Sequence, residues 1–207
     1  MSTERWKLAN HVIGRNLFLT KGHLQVVKSV MRTLRSADRC IVRCENRALL
    51  NYYVRIISKL LMLSNGADDH AAIDVEIVPA SSGDGFLDAI NRQIEDVGLE
   101  QAVSLTDSSV SRRCLIVTDV ENLGRENEEA LRYLLKDFPA INLACLFSTS
   151  LPTAAAENVL PMFKPALDEH EIEIPGEQIL DQIRQAAAGS RNGPSIIKLL
   201  DRLFAAP

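Results

Sequence analysis

The 207-residue chain has no run of about 18 consecutive apolar residues, the length needed to cross the hydrocarbon core of a bilayer. Its opening stretch, Met1-Ser-Thr-Glu-Arg-Trp-Lys7, lacks the apolar middle of a signal peptide. A soluble cytoplasmic protein is therefore expected. Cys40, Cys44, Cys114 and Cys145 form no Cys-x-x-Cys pair and sit among apolar neighbours, so they read as buried structural thiols rather than zinc or redox ligands. His11, His23, His70 and His170 are scattered, with no ligand pair at helical spacing. No metal and no cofactor are expected. The single tryptophan offers little for stacking nucleic-acid bases, and neither an internal repeat nor a low-complexity tract is present.

Charge is present but unevenly placed. The net value is −4. Residues 1–59 carry 12 Lys+Arg against 3 Asp+Glu, a balance of +9, and residues 60–207 carry 11 against 24, a balance of −13. Such a split can attract nucleic acid, an acidic protein or another copy of the chain, although a solvated basic helix face on an ordinary globular protein gives the same count. Lys28, Arg32, Arg35 and Arg39 are the candidate partner-binding cations.

With 46% apolar residues the chain is long enough for one buried core plus a small appendage. Leu24, Val27, Val30, Met31 and Leu34 fall on one stripe of an amphipathic helix over 22–36. Cys40–Cys44 reads as a strand, and 48–63 as a helix apolar nearly all round, hence deep in the domain. Ile73–Val78 alternates like a strand with one wetter face, and Asp84 is a candidate cap for a helix carrying Phe86, Leu87, Ile90, Ile94 and Val97. After a surface loop over 98–113, Cys114–Val117 and Ile141–Phe147 are buried strands flanking a helix over 126–138. A short fifth strand is expected at Glu171–Ile174, stopped by Pro175-Gly176, with only helix beyond it. Five strands alternating with helices imply an α/β fold, a mostly parallel sheet covered on both faces.

In open parallel sheets ligands bind beyond the carboxyl ends of the strands. A phosphate loop there needs glycines so that backbone N–H groups can wrap the phosphates, a lysine to reach the outer ones, and a hydroxyl for magnesium. The first strand instead runs into Glu45-Asn46-Arg47-Ala48-Leu49-Leu50, with no glycine, lysine or hydroxyl. Glu45 sets a negative charge where an anion would sit, and Arg47 could stand in only partly for the lysine.

The third strand ends Val117-Thr118-Asp119-Val120-Glu121-Asn122. Asp119 sits where a metal-orienting carboxylate belongs, but the next position, which should hold a general base, is Val120. Glu121 would point the other way if the strand continued. Alternatively, Asp119 and Asn122 simply cap the following helix. Ser148-Thr149-Ser150 lies where a polar residue could sense a terminal phosphate, though loop hydroxyls are common. Pro79–Gly85 is a plain turn with a cap or a weak backbone anion site.

This order of elements resembles the AAA+ P-loop ATPases, and within them the bacterial general secretion pathway ATPases and their cell-envelope relatives. The resemblance covers about residues 15–205. It rests on Phe18-Leu19-Thr20 before the first helix, on the strand at Cys40–Cys44, on Cys114–Glu121, and above all on Gly193-Pro194-Ser195-Ile196-Ile197-Lys198-Leu199-Leu200-Asp201-Arg202. The last piece looks like the family's late lid segment, with Ser195 where active relatives carry an arginine that approaches the nucleotide. The resemblance implies a strand order 5-1-4-3-2, an α/β domain over 1–175 and a short helical, lid-like extension over 176–207. It also implies degenerate nucleotide-site positions at Glu45, Asn46, Arg47, Asp119, Glu121, Ser148 and Ser195.

The expected function is a non-catalytic pseudo-ATPase module binding other proteins, such as an active ATPase or a secretion or envelope component. A nucleic-acid accessory protein using the basic N-terminal region, or a residual nucleotide-binding protein, are the alternatives. The oligomeric state is open.

Overall fold

The computed structural model describes residues 18–36, 39–63, 73–97, 113–137, 143–148, 167–189 and 192–204. The loop expected over 98–113 therefore lies almost wholly outside the described residues, as do Thr149 and Ser150.

Helix α1 (Lys21–Arg35) starts where Thr20 Oγ1 accepts the His23 N–H at 3.1 Å, an N-cap that satisfies one of the helix's orphan donors. Val27, Val30, Met31 and Leu34 are its buried stripe. Strand β1 (Arg39–Arg43) follows, then α2 (Arg47–Met62), which buries Leu49, Leu50, Tyr53, Val54, Ile56, Ile57, Leu60 and Leu61. Next come β2 (Asp74–Pro79), α3 (Asp84–Val97), β3 (Arg113–Thr118) and a 3-10 turn at Val120–Asn122. They are followed by α4 (Arg125–Asp137), β4 (Leu143–Ser148), β5 (Leu167–Glu171), α5 (Glu177–Ala188) and α6 (Gly193–Leu203).

The five strands form one sheet in the order β2-β3-β4-β1-β5, and each neighbouring pair is parallel. Parallel pairing requires crossovers, and the helices that make them cover both faces. Alternation along the strands assigns the faces. Cys40, Val42, Cys114 and Ile116 join α1 and α2 in the main core, while Ile41, Leu115 and Val117 are buried on the opposite side, where α3 and α4 pack together. Leu203, near the end of α6, is part of the main core.

Two expectations need correction. The fifth strand lies at Leu167–Glu171, upstream of the apolar-alternating Glu171–Ile174. Its register on β1 pairs Arg39 with Leu167 and Arg43 with Glu171, and Ile172 N–H continues to the Arg43 carbonyl at 2.8 Å. An edge strand is selected by backbone pairing to its one neighbour, so Asp168, Glu169 and Glu171 are tolerated there with their side chains exposed. Asp84 is not a cap but the first residue of α3, entered through Gly83 at φ 53°, a left-handed conformation suited to glycine.

Candidate functional site at the carboxyl edge of the sheet

Only Cys44, Glu45 and Asn46 separate β1 from α2. A phosphate-wrapping loop uses about eight residues between strand and helix to turn several N–H groups inward; three cannot make that circuit. The helix start is also closed by its own side chain. Asn46 Oδ1 accepts the Leu49 N–H at 2.9 Å, and Asn46 Nδ2 donates to the Leu203 carbonyl at 2.8 Å. One amide thus caps α2 and ties it to the end of α6. Cys44 is buried, and burial pushes its thiol pKa up, which keeps it protonated and inert. Glu45 is exposed.

Across from this helix start, β3 ends at Thr118 and the chain turns at once through Asp119, at φ 55° and ψ 40°. Among the described residues Asp119 is the one non-glycine with positive φ. Asx residues tolerate this region better than others, at a cost near 1 kcal/mol. Because the strand does not continue, the alternation expected to send Glu121 away from the site does not apply. Glu121 lies in the 3-10 turn and is half-buried. Asp119 stands at the N-cap position of that turn without a side-chain capping hydrogen bond, and Asn122 is the turn's exposed last residue. The Asp119 carboxylate instead meets the Arg47 guanidinium at 2.9 Å. Its side chain is 13% exposed, that of Arg47 63%.

The two positions that would grip phosphate and metal are therefore joined to each other. A guanidinium stays protonated and already supplies the carboxylate with a positive counter-charge. Val120, where a general base would be needed, is 1% exposed and packed. The β2–α3 turn at the same edge is largely bonded within itself. In Pro79–Gly85 the Ser82, Gly85 and Phe86 N–H groups bond within the turn, and Ala80 N–H bonds the Thr118 carbonyl at 2.7 Å. Asn127 Nδ2 seals the same corner by donating to the Ala80 carbonyl at 2.8 Å.

Ser148 is the last residue of β4, in register with Arg43. Ser195 is exposed in the first turn of α6. Among the described residues no hydrogen bond joins either to the Arg47–Asp119 pair. The candidate cations Lys28, Arg32, Arg35 and Arg39 are not gathered at this edge. Arg32, Arg35 and Arg39 cluster where α1 leads into β1, at the amino end of the strand. There the Arg35 guanidinium reaches the Leu60 carbonyl in the last turn of α2 at 3.5 Å, and burial lowers the pKa of Arg39.

A buried polar relay at the carboxyl edge escapes a reading of sequence alone. Leu19 N–H donates to Tyr53 Oη at 3.2 Å, Tyr53 Oη lies 2.7 Å from His23 Nδ1, and His23 Nε2 lies 2.7 Å from the Glu173 carbonyl. The carbonyl can only accept, so Nε2 carries a proton; with Nδ1 accepting from the tyrosine hydroxyl, the whole chain is satisfied by a neutral imidazole. Desolvation lowers the His23 pKa, against a smaller raising effect of Glu173, in keeping with that state. The only sequence signal was a histidine on the buried side of an amphipathic helix. Beside it lies a cavity of about 520 Å³ whose lining includes Thr20, His23, Glu173, Ile174, Gly176 and Ile179.

Among the described residues no group of three or more His, Cys, Asp or Glu stands where it could hold a metal ion, and no helix is long and apolar enough to cross a membrane.

No family model matches the sequence, and no curated protein matches it. Solved structures do resemble it. A DNA polymerase III gamma subunit-related protein from Thermotoga maritima aligns at 16% identity over 86% of this chain and 54% of its own, with a TM-score of 0.47. Saccharomyces cerevisiae RIF2 aligns at 15% identity over 95% of this chain and 76% of its own, at 0.52; Rif2 is also solved in complex with the C-terminal domain of Rap1. Drosophila ORC bound to AT-rich DNA and Cdc6 aligns at 12% over 98% of this chain and 41% of its own, at 0.51. The chain spans about half the length of the Thermotoga protein and less of the ORC chain. At these identities the likeness is one of fold alone.

Proposed function

We propose that this chain is a pseudo-ATPase, a non-catalytic AAA+-like module that works by binding other proteins. The observation that carries the reading is the Arg47–Asp119 ion pair at 2.9 Å, set beside a three-residue β1–α2 connection. An internal cation replaces the magnesium and phosphate-gripping lysine that such a fold would otherwise need, so the carboxyl edge is held together without nucleotide. A framework kept after its chemistry is gone retains surfaces, and surfaces bind partners. Rif2, similar in fold, is solved with a protein partner. The sequence resemblance to secretion-pathway ATPases suggests a setting beside an active ATPase or in a secretion or cell-envelope assembly. Calorimetric titration with ATP and magnesium should give no heat of specific binding. Micromolar binding with turnover sensitive to Asp119→Ala would sink the proposal.

A second reading has its own observation: α1 and α2 contain no aspartate or glutamate. A nucleic-acid accessory role would use this basic layer, and binding would weaken steeply with salt. A labelled duplex that shows no mobility shift even at low salt excludes it.

A further inference from the structure

We propose that copies of this chain stack head to tail, the α1/α2 layer of one molecule docking on the α3/α4 layer of the next. The sheet separates two helix layers of opposite charge. On one face Lys21 and Arg32 of α1 and Arg55 and Lys59 of α2 are exposed, with no acidic residue in either helix. None of these four side chains has an acidic partner among the described residues.

On the other face Asp84, Asp88 and Glu95 of α3 are exposed against a single base, Arg92, which is itself bound to Glu76. Glu126 of α4 is exposed as well, while Arg125 and Arg132, both exposed, are paired with Glu129 and Glu128 of their own helix. Exposed Met62 at the end of α2 and exposed Tyr133 on α4 give each layer a large apolar side chain, of the kind that anchors interfaces.

Among the described helices, the acidic complement of this layer lies on the far side of the sheet, out of its reach within one molecule. A second copy can reach it. Such a contact is heterologous, the two patches being different, so it propagates as an open stack unless its rotation closes a ring. This inference rests on the charge of the layers and needs nothing from the nucleotide-site reading.

Sedimentation velocity of the purified chain across a concentration series tests it. At low salt the average mass should rise with concentration. At 0.5 M salt, where screening acts within about 4–5 Å, it should fall back toward the monomer. Arg55→Glu/Lys59→Glu takes the α1/α2 pair from +7 to +3, with α2 itself turned acidic, and Asp88→Lys/Glu126→Lys takes the α3/α4 pair from −4 to 0. Each double variant, folded by circular dichroism, should lose association by about tenfold or more, and mixing the two should restore it. A monomer at every concentration and salt overturns the proposal. So does association untouched by either variant, and so does a basic layer that binds duplex DNA while the chain alone stays monomeric.

Discussion

At the scale of single residues the informative fact is a substitution of partner. Asp119 holds a left-handed backbone and a carboxylate, and both are legible as a turn in retrospect, but its contact with Arg47 joins residues 72 positions apart. Asp119→Asn keeps a residue that tolerates positive φ and removes the charge; it should lower stability by no more than about 1 kcal/mol, because Arg47 is well exposed and an exposed pair contributes little. Asp119→Ala also places an ordinary side chain in the left-handed region and should cost roughly 1 kcal/mol more. Urea unfolding midpoints of the two variants read the difference directly. Equal midpoints would mean that Asp119 carries no backbone strain.

At the scale of elements, short side-chain ties and close approaches hold the carboxyl edge. Asn46→Ala removes both the α2 cap and the bond to the Leu203 carbonyl, for an expected loss of about 1–3 kcal/mol. Asn46→Asp keeps an acceptor for Leu49 N–H but cannot donate to Leu203. It should therefore leave α2 intact while loosening α6, visible as faster amide exchange confined to 193–204. Gly193 sits where α6 abuts α5: a Cβ there would lie 2.1 Å from the Ala187 carbonyl oxygen. Gly193→Ala must therefore push backbone apart, costing about 1–3 kcal/mol as overpacking does, with the α5–α6 pair opening first to limited proteolysis. The glycine was visible in the sequence as part of a Gly-Pro turn, whereas the reason for it, a close helix approach, was not. The same holds for β5. Alternation favoured Glu171–Ile174, yet pairing with β1 selected the more acidic Leu167–Glu171, since an edge strand answers to its neighbour's backbone before its own side chains.

For the whole molecule, two histidines set an acid limit. Desolvation lowers the pKa of His23 and of His170 below the usual 6.5, the Asp168 charge opposing it for His170. His170 Nε2 is buried with no hydrogen-bond partner among the described residues. The unfolded chain therefore takes up protons before the folded one as pH falls. The stability they support is fully present above about pH 7, and is lost as pH drops through the unfolded value of about 6.5 toward the lower folded ones. Urea midpoints should fall between pH 7.5 and 5.5. His170→Gln should flatten part of that slope, and an unchanged slope in this variant would locate the effect elsewhere.

The sequence by itself determined the alternation of strands and helices, the buried character of Cys40–Cys44 and Cys114–Val117, and the depth of α2. Local periodicity and apolar content suffice for these, since each element must bury one face whatever its neighbours are. It also determined the absence of glycines and lysine at Glu45–Leu50, a property of residue identity alone. Tertiary structure decided what fills the space left behind. Arg47 turning to Asp119, Asn46 reaching Leu203, and His23 joined to Tyr53 and Glu173 all link residues far apart in the chain. So do the basic and acidic layers on opposite faces of the sheet. No periodicity encodes such contacts, because they depend on which strand ends the parallel sheet brings side by side.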